Sequence, residues 1–225
     1  YNVIVIDNIN NYYSIKLKRD RLKILNKFKK FKFLKLDIRN KKKLFEKLKN
    51  QNIHSVYHFA AQSFPESSFK TPTYTLNTNV IGTTNLLEEL RLAQERIMLS
   101  PVIVSVSSSE VYGNPKPDEV PIKEINPIRA ANPYSISKVG HDLMSQYYYD
   151  AFNLKIIITR MFSHEGKRRG KIFALSSFAY QVVQNEKGLG DYTIKHGNLD
   201  SVRTYNHIDD AVHAYWLAVD KCDYG

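Results

Sequence analysis

Cysteine, long apolar runs and glycine are all scarce in this sequence. Cysteine occurs once, at Cys222, which excludes an internal disulfide framework and suits a reducing cytoplasm. No apolar run approaches the ~20 residues of a membrane span, and no signal-peptide pattern opens the chain, so no membrane partner is expected. Glycine supplies nine of 225 residues, and nowhere do these fall into a G-x-x-G-x-x-G run. The chain as it stands therefore lacks the glycine turn that brings a phosphate onto a helix N-terminus. It also opens on Tyr1 rather than methionine, and a preceding piece is expected.

Charge is abundant but uneven. The formal net charge is +11, yet 16 Lys and Arg against three acids lie between Lys16 and Lys49. The rest of the chain is close to balanced. The basic stretch is patterned as helix, strand and helix, and Phe28, Phe31, Phe33 and Phe45 within it fit core positions as well as base-stacking ones. No nucleic-acid module accompanies it, so a solvated lysine-rich surface is expected rather than a nucleic-acid partner. A hydrophobic content of 43% is enough for a packed core.

Periodicity alternates between strand and helix. Tyr1–Asp7 is a β-branched run ending in an acid, followed by the polar turn Asn8–Asn11. A helix is predicted over 14–30, with Ile15, Leu22 and Leu25 on one stripe. Strands are predicted at Phe31–Ile38, Ser55–Ala61, Val102–Ser107 and Lys155–Arg160. Helices are predicted over 41–50, 76–98 (Val80, Leu87 and Leu90 on one face) and from Asn132 (Ile136, Val139, Leu143 and Tyr147), with weaker signals at 172–186 and 207–220. This order predicts an α/β chain with a Rossmann-like, doubly wound parallel sheet. The predicted division is a dinucleotide-binding domain over 1–165 and part of a smaller substrate-binding region over 166–225. A strand ending in Asp7 is second in such a fold, so the first strand and its glycine loop are expected to be missing.

Four residues carry the chemistry. Ser107-Ser108-Ser109-Glu110-Val111-Tyr112-Gly113 leaves a buried strand, where open α/β sheets hold ligands. Asn132-Pro133-Tyr134-Ser135-Ile136-Ser137-Lys138 then opens a helix, and a spacing of four sets Tyr134 and Lys138 one turn apart. A cation beside a phenol lowers its pKa from ~10, which permits proton exchange with a substrate hydroxyl near neutrality. Tyr-x-x-x-Lys alone is common; preceded by Ser-Ser-Glu-x-Tyr-Gly it is specific. Asp7 reads equally as an acceptor for an adenosine ribose or as a turn cap. Asp37-Ile38 is a candidate contact for an adenine ring. The small residues of His58-Phe59-Ala60-Ala61-Gln62 allow close backbone approach to a cofactor, or simply end a packed strand.

The chain resembles the extended short-chain dehydrogenase/reductase superfamily, and within it the GDP-mannose 4,6-dehydratases. The shared marks include His58-x-Ala60-Ala61-Gln62, Asn79-Val80-Ile81-Gly82-Thr83, the run Arg160-Met-Phe-Ser163-His164-Glu165-Gly-Lys-Arg168-Arg169-Gly170, and Gly197-Asn198-Leu199-Asp200-Ser-Val-Arg203. The resemblance implies NAD as cofactor, with NADP as the variant, and a nucleotide-diphosphate sugar as substrate. It implies Ser108 on the sugar O4, Tyr134 as general base, Glu110 as the carboxylate for the C5 proton, and Lys138 on the nicotinamide ribose. It further implies cofactor contacts from Asp7, Asp37, Ile38, Ala60, Ala61, Asn79, His164 and Arg169. Substrate contacts are implied for Gln62, Ser63, Ser109, Ser163, Asn198 and Arg203. No metal is implied, and the full-length protein is expected to be a homo-oligomer.

The match is not uniform. The stretch Val3–Leu36 is more similar to UDP-glucuronate 4-epimerases, Ser163 stands where the family has asparagine, and Lys167 where it has proline. The expected activity is internal redox and dehydration of GDP-mannose to its 4-keto-6-deoxy form. The alternatives are a nucleotide-sugar 4-epimerase and a non-catalytic NAD-binding remnant. Without the glycine turn, the 225 residues by themselves are expected to be inactive.

Overall fold

A computed structural model describes all 225 residues. In chain order the elements are β1 (Val3–Asp7), α1 (Ile15–Leu25), β2 (Phe31–Lys35), α2 (Lys41–Leu48), β3 (Ser55–His58), α3 (Pro65–Lys70) and α4 (Pro72–Leu76). A π-helical turn (Asn77–Ile81) leads into α5 (Gly82–Ile97) and then β4 (Val102–Val106). Two 3₁₀ turns follow, Ser109–Tyr112 and Pro117–Glu119, before α6 (Pro133–Phe152). The chain ends with β5 (Ile156–Thr159), β6 (Ser163–Glu165), α7 (Ala174–Glu186), β7 (Tyr205–His207) and α8 (Ile208–Lys221).

Helix starts follow their capping residues. Ser14 and Asn40 accept from the backbone N–H groups of Leu17 and Lys43 at the heads of α1 and α2, and Pro65, Pro72 and Pro133 occupy first-turn positions where a missing N–H costs nothing. The expected helix over 76–98 is present but begins earlier and is interrupted. At the π turn, Thr83 and Thr84 donate their hydroxyls to the Asn79 and Val80 carbonyls, at 2.7 and 2.9 Å, satisfying groups that the wider turn releases.

Two compact units make up the chain. One comprises residues 1–5, 9–33 and 163–212; the other comprises 6–8, 34–162 and 213–225. The second unit contains a parallel sheet of order β3-β4-β5, with Ile103 facing Val56 on one side and Ile156 on the other. Its core is Leu36, Leu44, Leu48, Leu86, Leu87, Leu90, Ile103, Tyr148, Leu154 and Ile156. Helix-spaced leucines from α2 and α5 thus cover the β-branched strands, as parallel sheets require. The first unit pairs β6 with β7 in parallel. β1 and β2 form a separate two-stranded sheet.

Two expectations are corrected. The stripe Ile136, Leu143 and Tyr147 does mark α6, but these residues are 52, 59 and 53% exposed. The buried face of α6 is instead Tyr134, Ser135, Ser137, Lys138, His141, Asp142, Ser145 and Tyr148. Polar side chains win the interior there because each finds a buried partner, as the site shows below. In α1 the buried residue is Lys18, not the leucines: its ammonium lies over the Tyr13 ring, 4.7 Å from the centroid, and donates to Asn10 Oδ1 at 2.7 Å. Phe28, which fits a core or a base-stacking position equally in the sequence, is 64% exposed.

Gly113 closes the first 3₁₀ turn at φ +60°, and a Cβ there would lie 1.9 Å from the Arg129 carbonyl oxygen. Gly113→Ala is expected to cost at least about 1–3 kcal/mol, and to lower Tm by several degrees. An unchanged melting curve would show that this turn relaxes freely.

Candidate active site

The site is built where β4 ends. β4 is central in its sheet, and Ile103, Val104 and Ser105 are fully buried. Past Val106 the chain stays tied to its neighbour: Ser107 N–H donates to Thr159 O at 2.8 Å and Ser109 N–H to Met161 O at 3.2 Å. Ser108 is extended, and its hydroxyl accepts from Glu110 N–H at 3.2 Å, capping the turn that carries Glu110. Ser108 is nearly buried, and Glu110 is half-buried.

The head of α6 meets this exit. Lys138 Nζ donates to the Val106 carbonyl at 2.6 Å, two residues before Ser108. Ser107 Oγ reaches back to Lys138 O at 3.4 Å. Tyr134 and Lys138 are both buried. Burial pushes the Lys138 ammonium down to about 8, and the nearby Asp142 only partly opposes this. Asp142 is itself held by Arg160, with bonds of 2.8 and 3.1 Å, and that guanidinium also bonds Tyr112 Oη and Glu124 O at 3.1 Å. Lys138 thus has one carbonyl partner for three N–H donors.

Beneath the site runs a buried polar chain. Thr83 has one hydroxyl proton, which goes to Asn79 O, so its oxygen accepts from both His58 Nε2 (2.8 Å) and His141 Nδ1 (3.0 Å). His141 Nε2 then accepts from Ser105 Oγ at 2.7 Å, and Ser145 Oγ lies 2.6 Å further on. The two imidazoles stack with centroids 5.1 Å apart. Burial, with the Lys138 charge added, brings His58 to about 3 and His141 well below its usual range. Both are neutral at physiological pH.

The loop after β3 joins the same assembly. Ala60 and Ala61 are partly buried and Gln62 is buried, while Ser63 is exposed. The Asn79 carboxamide accepts from Gln62 N–H at 2.7 Å and donates to Gln62 O (2.9 Å) and to Ser137 Oγ (2.8 Å). Asp37 is tied to Arg39, at 2.7 and 2.9 Å, and to Asn8 Nδ2 at 3.0 Å, which holds its carboxyl well below the usual range. Arg39 lies over the Tyr74 ring at 4.6 Å. A cavity of about 590 Å³ is lined by Asp37, Arg39, Asn40, Lys41, Asn77 and Ile81. Ile38 is buried behind it and Asp7 is exposed at the end of β1.

The second unit therefore holds Ser108, Ser109, Glu110, Tyr134, Lys138, Asp7, Asp37, Ile38, Ala60, Ala61, Gln62, Ser63 and Asn79. Ser163, His164, Arg169, Asn198 and Arg203 belong to the first. There, Ser163 and His164 pair across from Tyr205 and Asn206. Arg169 lies 3.6 Å from Glu165 and over the Phe173 ring at 3.7 Å. Asn198 Oδ1 accepts from Asp200 N–H at 2.8 Å, and Arg203 is exposed. Sequence reasoning missed Ser68, Ser105, Ser137, His141 and the Asp142–Arg160 pair. The available signal was the polar residues at 134, 137, 138, 141, 142 and 145, which share one helical face.

Relatives of this chain occur among known proteins and solved structures. The GDP-mannose 4,6-dehydratase sdnI of Sordaria araneosa is 30% identical over 187 residues, covering 82% of this chain and 33% of that protein. A UDP-glucuronate 4-epimerase of Thermodesulfobacterium geofontis is 29% identical, covering 92% of this chain and 61% of the other. The crystal structure of DesIV, a dTDP-glucose 4,6-dehydratase from Streptomyces venezuelae with NAD and TYD bound, superposes with a TM-score of 0.85 at 27% identity. That match covers 100% of this chain and 64% of DesIV, and it agrees with the α/β, Rossmann-like architecture expected from the order of elements. The chain thus spans less than two thirds of the length of each of these relatives. One family model, described as GDP-mannose 4,6 dehydratase, runs from residue 1 to residue 224. A match over that length leaves no part of the site outside it, and the chain belongs to the GDP-mannose 4,6 dehydratase family.

Proposed function

We propose that this chain carries the catalytic centre of a nucleotide-sugar 4,6-dehydratase that converts GDP-mannose to GDP-4-keto-6-deoxymannose. The observation that supports this most is the bond from Lys138 Nζ to Val106 O, which docks the Tyr-x-x-x-Lys turn on the strand exit carrying Ser108 and Glu110. In this reading Ser108 donates to the sugar O4 and Tyr134 takes the O4 proton. The Lys138 cation holds the phenolate in its charged form. Glu110 takes the C5 proton and passes it to the departing C6 hydroxyl, which leaves as water. The O4 proton held by Tyr134 passes to C5, so the protein ends as it began.

The cofactor assigned to this centre is NAD. When bound, NAD supplies a hydride acceptor and donor for the sugar, while the protein supplies position and proton traffic. The residues fit such a group in two places. Lys138 keeps two N–H donors beyond its bond to Val106, a match for vicinal ribose hydroxyls. The cavity beside Asp37, Arg39 and Ile81 has room for a flat base. Ile38, Ala60, Ala61 and Asn79 complete the proposed cofactor set, with His164 and Arg169 from the first unit. Gln62, Ser63, Ser109, Ser163, Asn198 and Arg203 form the proposed sugar-nucleotide set. Residues 1–165 are assigned to cofactor binding and 166–225 to part of the substrate region. The chain contains no glycine-rich turn and β3 is an edge strand of its sheet; on its own it is proposed to bind NAD weakly and to turn over poorly.

Asp7 decides between the two nicotinamide cofactors. An exposed carboxylate at the end of β1 repels a 2′-phosphate, and Asn8, Ile9, Asn10 and Asn11 offer no guanidinium to receive one. NAD is expected to bind more tightly than NADP to the full chain in a fluorescence titration. Tighter NADP binding would remove Asp7 from the cofactor set.

A nucleotide-sugar 4-epimerase of the UDP-glucuronate type is the second reading, favoured by the relative that matches 92% of the chain. Incubating the full chain and NAD with GDP-mannose, dTDP-glucose and UDP-glucuronate separates the two by mass spectrometry. Loss of water from GDP-mannose supports the dehydratase, and isomerisation of UDP-glucuronate without loss of mass overturns it.

A further inference from the structure

The first turn of α6 leaves backbone donors that no helical carbonyl can reach. Most are met locally. Pro133 has no N–H, Ser135 N–H donates to Asn132 Oδ1 at 2.8 Å, and Asn132 N–H donates to Ser135 Oγ at 3.0 Å, a reciprocal capping box. Ile136 N–H makes the first helical bond, to Asn132 O at 2.9 Å. One donor remains, and it belongs to Tyr134. Its partner is Ser68 Oγ at 3.1 Å, 66 residues away in sequence.

Ser68 is fully buried on α3, and its hydroxyl proton is committed to Pro65 O at 2.5 Å. Its lone pair therefore faces the Tyr134 amide in a fixed direction. The other side of Tyr134 is held as well: Ser137 Oγ donates to Tyr134 O at 2.6 Å and accepts from Asn79 Nδ2 at 2.8 Å. Asn79 is in turn bonded to both backbone groups of Gln62. Ser68 of α3 thus holds the Tyr134 amide, and Ser137 of α6, itself anchored by Asn79 of the π turn, holds its carbonyl. The capping box leaves the Tyr134 amide unmet. The additional bond reaches the residue whose phenol the chemistry uses.

We propose that Ser68 is a positioning residue for Tyr134, its buried hydroxyl setting from α3 the angle at which the phenol meets the sugar hydroxyl. The role rests on Tyr134 being the proton acceptor, as proposed above. Ser68 is fully buried and acts through Tyr134. Its loss changes the approach geometry of the phenol while leaving the cofactor and nucleotide contacts in place.

The test uses the full chain with NAD and whichever of GDP-mannose, dTDP-glucose and UDP-glucuronate the wild-type protein consumes. Ser68→Ala is expected to lower kcat roughly 10- to 100-fold, because misplacements of about 1 Å have effects of that size. KM and the NAD dissociation constant should stay within about twofold of wild type, and the loss should persist far below Tm. Ser68→Thr, which keeps the hydroxyl, should recover most of the rate. If Ser68→Ala does not fold, Ser137→Ala releases the carbonyl side of Tyr134 and is read in the same way. A kcat equal to wild type with only a lowered Tm would overturn the positioning role. Tyr134→Phe in the same assay separates the two claims. Retained turnover in that variant removes the underlying reading, whereas an inactive Tyr134→Phe beside a fully active Ser68→Ala removes only the role of Ser68.

Discussion

Glu110→Gln is expected to abolish loss of water while leaving the fold and NAD affinity intact. The side chain is half-buried on a short turn capped by Ser108, and the backbone bond that forms this turn is made by the Glu110 amide, not by its carboxylate. Glutamine has nearly the same shape, so the turn should survive. What it lacks is a group that accepts the C5 proton and returns it to the departing C6 hydroxyl. General acid–base groups contribute about 10²–10⁴ in rate, and dehydration measured by mass spectrometry should fall by that factor. Slow exchange at C4 should persist, because it needs only Ser108, Tyr134 and Lys138. Dehydration at the wild-type rate would refute the dehydratase assignment and leave an epimerase, which needs no carboxylate at this position.

The second large effect is expected at the Tyr–Lys pair. Tyr134→Phe removes the O4 proton acceptor and should lower kcat about 10²–10⁴-fold with little change in substrate affinity. Lys138→Ala acts differently. The wild-type ammonium is buried, and its pKa is pushed down to about 8, so it is charged at neutral pH and loses its proton as pH rises through that value. Its support for the phenolate is present below pH 8 and fades above it. The wild-type rate should therefore decline on the alkaline side near pH 8. Without the cation the phenol ionises at higher pH, so in Lys138→Ala the acid limb of the pH–rate profile should move upward. NAD binding should weaken as well, since two N–H donors are lost. An acid limb that stays in place would disprove the coupling between the two side chains.

Stability has its own pH response at this residue, with the opposite sign. Lys138 binds its proton less tightly folded than unfolded, so between about pH 8 and the ordinary lysine range the unfolded chain carries more protons. Stability contributed by this group therefore rises with pH across that window, while activity falls. The chain keeps a buried cation that folding disfavours below pH 8, at the position where the proposed chemistry needs one.

Much was legible in the residues. The alternation of strands and helices and the helix carrying Tyr134 and Lys138 are local properties, set by backbone propensity and hydrogen bonds within a few residues. The spacing of four between Tyr134 and Lys138 needs only helical geometry. Element limits were less legible: the first helix ends at Leu25 and the second strand at Lys35, both earlier than periodicity suggests. The start of α5 was obscured because the π turn at Asn77–Ile81 depends on hydroxyl bonds from Thr83 and Thr84.

By itself, then, the sequence determined the alternation of strands and helices, the Ser-Ser-Glu-x-Tyr-Gly and Tyr-x-x-x-Lys motifs and the two helix positions that pair a phenol with a cation. Only tertiary structure decided which face of α6 turns inward. A hydrophobic stripe predicts the buried side of a helix when the surroundings are apolar. Here the surroundings are Asn79, Thr83 and Ser105, which hydrogen-bond Ser137, His141 and Ser145, and His58, which stacks on His141. A buried polar group is costly alone and inexpensive when paired, and the pairing partners lie 36 to 58 residues away in sequence. The same is true of Ser68, whose value to Tyr134 exists only once α3 is packed beside α6. Local pattern specifies what each segment becomes; long-range hydrogen bonding decides how it is turned.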